Sequence, residues 1–131
     1  MLFAMPAVLA LDIGSRRTGV ARATTEDGVP LSLTTLTHKS PQELKKHVDA
    51  LLERHGTSVV VVGLPLLPSG KEGQQARVTR RTVEQLQFPA DIEVLFLDER
   101  YSTPLEPSAD PDSEAAVHLL TVYLDQRTFD K

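Results

Sequence analysis

The sequence predicts one α/β domain, residues 1–131, built on a mixed five-stranded sheet in which a three-strand meander precedes two βα crossovers and helices flank the sheet. Three observations carry that expectation. Val8 to Ala21 reads as an apolar run, one acid, a glycine turn, two arginines and a second apolar run, the pattern of a strand, a tight turn and a returning strand. Ser58 to Val62 is a continuous β-branched run, as in a strand buried on both faces of a parallel sheet. Helical spacing begins directly after Ser40-Pro41-Gln42-Glu43, a capping box with proline at the first helical position.

Taken in order, Asp27, Gly28 and Pro30 form a turn before a third strand at Leu31 to Thr37. Leu44, Val48, Leu51 and Leu52 mark the buried face of the first helix, and Gly56 stops it. The Ser58 strand ends in Gly63-Leu64-Pro65, and Leu66 to Gly73 is a loop. Ala76, Thr79, Val83 and Leu86 then line a second helix whose other faces carry arginines. Ile92 to Leu97 is the fifth strand and runs into Asp98-Glu99-Arg100. Prolines 104, 107 and 111 exclude a regular helix from 103 to 111. Asp110, followed by Pro111, can cap a last helix that buries Ala115, Ala116, Leu119, Leu120, Tyr123 and Leu124. The first, fourth and fifth strands are expected to run parallel. Strand order then reverses beside the first strand, and ligands of such sheets bind at that switch, near the strands' carboxyl ends.

Composition narrows the function classes. The 131 residues contain no cysteine, which excludes a disulfide framework, a thiolate nucleophile and a cysteine zinc site. His38, His47, His55 and His118 lie in no zinc-binding spacing. The apolar N-terminal stretch has no basic flank and is interrupted by Asp12, so a cytoplasmic protein without a membrane span is expected. Net charge is −4, yet residues 70–83 carry four bases and one acid whereas residues 91–114 carry eight acids and one base. Taken alone, that asymmetry describes two solvated surfaces of opposite bias.

The acids have a more specific reading. Asp12 ends the first strand, Asp98 and Glu99 end the fifth, and Asp112 opens the last helix, so carboxylates from distant parts of the chain share one sheet edge. Crowded carboxylates repel, and a divalent cation relieves the repulsion. Mg²⁺ or Mn²⁺ suits such an all-oxygen site, binding through few carboxylates and taking its remaining ligands from water and substrate phosphate. Phosphodiester hydrolysis is the reaction class this chemistry serves. Each acid also has an ordinary role: Asp12 as a turn acceptor, Glu99 in a surface ion pair, and Asp112 as the acid that a first helical turn favours.

Four ordered stretches resemble the motifs of the bacterial YqgF/RuvX family. They are Asp12-Ile13-Gly14-Ser15-Arg16-Arg17-Thr18-Gly19-Val20-Ala21; Val62-Gly63-Leu64-Pro65-Leu66 with Gly70-Lys71-Glu72-Gly73; Asp98-Glu99-Arg100-Tyr101-Ser102-Thr103; and Asp112-Ser113 with Ala115-Ala116 and Tyr123-Leu124. The resemblance implies a ribonuclease H-like fold and a Mg²⁺- or Mn²⁺-dependent nuclease. Members are described as Holliday junction resolvases or as nucleases that mature the 5′ end of the small-subunit (16S) ribosomal RNA precursor. By motif position the family's three acids, catalytic and metal-binding, fall on Asp12, Glu99 and Asp112. Asp98 falls on the opposite strand face from Glu99. Only Pro104 to Pro111 separate the third motif from the last acid, where the family carries a longer basic segment, and this leaves Asp110 and Glu114 as alternatives to Asp112.

With that segment absent, phosphate contacts are expected from Arg16 and Arg17 in the first turn and from Lys71, Arg77, Arg80 and Arg81 after Gly63. The expected partner is nucleic acid, a four-way DNA junction or a precursor ribosomal RNA, bound by a monomer or weak homodimer. A catalytically weak nucleic-acid-binding module that keeps the fold is the alternative. Sugar kinases and actin-like ATPases share the opening strand, acid and glycine turn, but 131 residues cannot supply their second large domain.

Overall fold

The computed structural model describes residues 7–24, 28–98 and 110–129. Five strands and three helices follow one another as β1 (Ala7–Ile13), β2 (Arg17–Thr24), β3 (Leu31–Thr37), α1 (Pro41–His55), β4 (Thr57–Leu64), α2 (Gln74–Leu86), β5 (Glu93–Asp98) and α3 (Pro111–Phe129). The sheet order is β3-β2-β1-β4-β5. β1 pairs antiparallel with β2 and β2 with β3, whereas β1, β4 and β5 run parallel. The switch in strand order therefore falls beside β1, as the β-branched β4 and the two crossovers require.

Local chemistry sets the helix ends. The Ser40 side chain accepts a hydrogen bond from the Glu43 N–H at 3.2 Å, and Pro41 follows at the first helical position. Gly56 closes α1 in the left-handed region at φ 58°, where a residue with a Cβ would be strained.

The sheet separates two cores of different texture. On one face, Leu9, Leu11, Val20, Val60 and Val62 pack against Leu44, Val48 and Leu52 of α1 and Leu86 of α2. On the other, Val8, Ala10, Ala21, Ala23 and Val61 pack against Ala116, Leu119 and Leu120 of α3. The first face is built of large aliphatic residues and the second mainly of alanine, so α3 can lie close to the sheet. Among the described residues, no helix is long and apolar enough to cross a membrane.

Candidate active site

Asp12 is the penultimate residue of β1. Strand alternation puts it on the same face as Val8 and Ala10, which is the face that α3 covers, and it is half-buried where the apolar packing ends. Its partner across the β1–β2 ladder is Gly19. A Cβ at Gly19 would stand 1.8 Å from the Asp112 carbonyl oxygen and 2.9 Å from the Ser113 nitrogen. The backbone of the first turn of α3 thus fills the space a side chain would take, directly across the ladder from Asp12. A glycine inside a strand is the sequence signal for such a close approach, a role that the motif pattern alone did not assign to Gly19.

Further contacts hold that turn in place. Thr18 pairs with Leu36 and Val20 with Leu33, so Gly19 faces two residues of β3, Thr34 and Thr35, in a β-bulge. The Thr35 hydroxyl lies 2.8 Å from both carboxylate oxygens of Asp110. Asp110 also accepts from the Ser113 N–H at 3.2 Å through its side chain and from the Glu114 N–H at 3.1 Å through its carbonyl, which makes it the N-cap of α3. The buried Ser113 hydroxyl lies 3.1 Å from the Leu33 carbonyl oxygen and 3.4 Å from that of Val20.

The three acids near the start of α3 therefore differ in employment. Asp110 caps the helix, and Glu114 stands 3.8 Å from the His118 ring one turn on. Asp112 is 28% exposed, with Oδ2 3.3 Å from Nε of Arg17. Asp98 ends β5 in register with Leu64, on the face where Val94 and Phe96 join the α1 and α2 core, opposite Asp12. Glu99 lies outside the described residues.

The basic residues fall on both sides of the strand ends. Arg16 and Arg17 ride on the β1–β2 turn, which is closed by the Gly14 N–H donating to the Arg17 carbonyl at 2.8 Å. Lys71, Arg77, Arg80 and Arg81 are exposed on the loop and on α2, which covers the face away from Asp12. Among the described residues, two of these bases have acidic partners: Arg17 with Asp112, and Arg80 with Glu72 through bonds of 2.7 and 2.9 Å. The Arg80 bonds hold the Glu72 carboxyl below the usual carboxylate range. The same guanidinium sits 4.6 Å from the centre of the Phe96 ring. Neither pairing could be read from helical spacing.

Asp12 and Asp112 bring carboxylate oxygens, and no nitrogen or sulfur ligand, to one face of the sheet. Among the described residues, no three His, Cys, Asp or Glu side chains gather closely enough to hold a metal ion. Two carboxylates of this kind fit Mg²⁺ or Mn²⁺, which bind through one or two carboxylates and complete their shell with water and phosphate oxygens.

A mixed sheet in this order, a meander followed by two crossovers with helices on both faces, is a ribonuclease H-like fold. The chain belongs to the family described as "RuvX: Holliday junction resolvase", whose profile matches residues 6–107. It is an enzyme that hydrolyses phosphodiester bonds, of a nuclease family that works on nucleic acid with divalent metal. The "Putative pre-16S rRNA nuclease" of Sulfurihydrogenibium sp. (strain YO3AOP1) is 34% identical over 95% of this chain and 94% of its own length. A protein of the same name from Chloroflexus aurantiacus (strain ATCC 29366 / DSM 635 / J-10-fl) is 34% identical over 92% of this chain and 87% of its own. Among solved structures, T. thermophilus RuvC in complex with Holliday junction substrate superposes with a TM-score of 0.63 at 13% identity, covering 94% of this chain and 96% of that one. The fowlpox virus Holliday junction resolvase gives 0.59 at 9% identity, covering 92% and 99%. Both share the fold. The family match ends before Asp110, so the choice among the acids of α3 rests on their geometry.

Proposed function

We infer that residues 1–131 form a single nuclease domain that acts in the cytoplasm as a Mg²⁺- or Mn²⁺-dependent endonuclease on structured nucleic acid. Its substrate is a four-way DNA junction, the 5′ end of precursor 16S ribosomal RNA, or both. The observation that carries the reading is the seating of the Asp112 backbone on Gly19, the cross-strand partner of Asp12. It supports Asp12 and Asp112 as metal ligands sharing one face. The family match, which includes the motif around Glu99, supports that residue as the third.

A divalent cation at these carboxylates would supply an activated water and stabilise the leaving oxygen. The chain's own residues do the remaining work. Asp110, Thr35 and Ser113 fix the helix that carries Asp112, leaving its carboxylate to face the strand ends. Arg17 offsets the charge of Asp112 and, with Arg16, offers guanidinium groups to the substrate backbone at the same edge. Lys71, Arg77 and Arg81 approach the backbone from the other side of the strand ends. With so few bases the protein binds weakly alone, as a monomer or weak homodimer.

The test offers purified protein and Mn²⁺ a four-way DNA junction, a precursor 16S RNA and unstructured strands. Cleavage of a structured substrate that is lost in Asp12→Asn, Glu99→Gln and Asp112→Asn, each still unfolding cooperatively, is expected. Cleavage that survives a chelator, or runs equally fast with Ca²⁺, refutes the metal mechanism.

A further inference from the structure

Across the sheet from Asp12, where β1 ends, lies a cavity of about 260 Å³ between the β1–β2 turn and the first turns of α1 and α2. We propose that it receives one unstacked nucleobase of the substrate, a nucleotide or two from the scissile phosphate. The proposal rests on the nuclease reading above and adds the part of the substrate that the acids do not touch.

Three features select a base over other occupants. The walls formed by Ile13, Leu44 and Val78 are apolar, as the faces of a base require. Ser15 and Gln75 add neutral hydrogen-bonding groups, and a glutamine amide offers both a donor and an acceptor, the pairing that reads a base edge. Among the described residues no acid lines the cavity, and Lys39, exposed on its lining, suits the phosphate attached to an inserted base. Size agrees with one ring system. Pockets for drug-sized ligands begin at roughly 300 Å³, slightly more than this one offers.

Position supplies the link to catalysis. Ile13 lines the cavity and is the residue after Asp12, so consecutive side chains of one strand face the base and the acid site. Arg16 and Arg17 sit on the turn between them. A strand crossing the sheet edge therefore meets the acids with a phosphate and the cavity with a neighbouring base. Bases at the branch point of a junction and in single-stranded RNA can leave their stacks at little cost, which is the substrate class this arrangement favours.

The experiment uses the Asp12→Asn protein, so that binding is read without cleavage. Single abasic residues are walked through a four-way DNA junction and, in parallel, through a single-stranded precursor-RNA oligonucleotide. One position in at least one of the two should weaken binding about tenfold when its base is missing, because the apolar surface that the base buries against Ile13, Leu44 and Val78 returns to water. The same position should be silent in Val78→Trp, whose side chain fills the cavity from an exposed helix position, and attenuated in Gln75→Ala. If the base matters equally in these variants, or at no position in either substrate, the proposal is overturned. Cleavage by the wild type without any abasic effect sinks the cavity alone. An abasic effect in a protein that cleaves nothing sinks the nuclease reading and keeps the cavity.

Discussion

The two faces of the sheet solve different problems with different residues. Toward α1 and α2 the strands present Leu9, Leu11, Val20, Val60 and Val62, whose bulk holds the helices off and leaves space for a cavity at the strand ends. Toward α3 they present Ala10, Ala21, Ala23 and, at the edge, Gly19, and the helix settles until backbone meets backbone. Large side chains supply stability by area, roughly 25 cal/mol per Å² of apolar surface removed from water. Small ones supply position, because a carboxylate carried on a helix turn can be placed accurately only if that turn rests on something rigid. The α3 face thus brings backbone against backbone, and the α1 and α2 face buries the larger aliphatic side chains.

The contrast can be broken from either side. Leu11→Ala, on the large-residue face, should destabilise the fold by about 2–5 kcal/mol through reduced burial and the cavity it leaves, while the fraction that stays folded keeps its specific activity. Gly19→Ala should cost less, about 1–3 kcal/mol, since its Cβ would overlap the Asp112 carbonyl and the whole first turn of α3 would have to shift. Its cleavage per folded molecule, however, should be nearly abolished. Thermal unfolding and rates corrected for the folded fraction read both variants, and equal specific activities would show that α3 does not position the chemistry.

A finer cut separates structure from chemistry within one helix turn. Asp110→Ala removes an N-cap and the Thr35 hydrogen bond and should cost about 1 kcal/mol of stability with cleavage retained. Asp112→Asn weakens only a partly exposed pair with Arg17, worth at most about 1 kcal/mol, and should lose cleavage while losing little stability. The reverse pattern would make Asp110 the third acid.

Much of this frame was legible in the chain. Leu31–Thr37 follows its Leu/Thr pattern, α1 starts at the proline of the capping box and stops at Gly56, and the period-2 rule already sets Asp98 apart from the acid face. Three features were not legible, each for a physical reason. The β3 bulge inserts one of two adjacent threonines, both good strand formers, so no local propensity marks it. Arg80 reaches Glu72 eight residues back across a helix start, outside the spacings at which helical pairs form. The cavity arises from how far apart two helices sit, a packing result that no single segment encodes.

Salt dependence tests which bases serve the nuclease face. Arg16→Ala with Arg17→Ala should flatten the slope of log affinity against log salt by about one unit for each phosphate no longer neutralised. Arg80→Ala should leave the slope unchanged, because its guanidinium is committed to Glu72 through Nε and one terminal nitrogen, and Arg54→Ala at the far end of α1 should do the same. A slope that falls with Arg80→Ala would mean that the Glu72 pair opens to admit the substrate.

The smallest expected effect lies under the β1–β2 turn, where His38 ties the turn that carries Arg16 to the interior of the sheet. Its ring Nε2 stands 2.9 Å from the buried Thr18 hydroxyl, and its backbone N–H donates to the Arg16 carbonyl at 2.9 Å. Burial pushes its pKa below the ordinary 6.5, against the pull of Glu43 and with a smaller push from His47. Between the lowered folded value and 6.5, the unfolded chain takes up more protons than the folded one. Stability therefore falls as pH drops through that window, and it levels off once the folded ring is also protonated. His55, lowered by burial and by Arg22 and Arg54, contributes with the same sign. Denaturant unfolding from about pH 7.5 downward should show this decline, and His38→Gln and His55→Gln should each flatten part of it. His38→Gln should also cost about 1 kcal/mol at neutral pH through the altered bond to Thr18. A stability that rises on acidification in the wild type and not in His38→Gln would mean instead that the attraction of Glu43 outweighs burial, and that the turn carrying Arg16 is held by a charged ring.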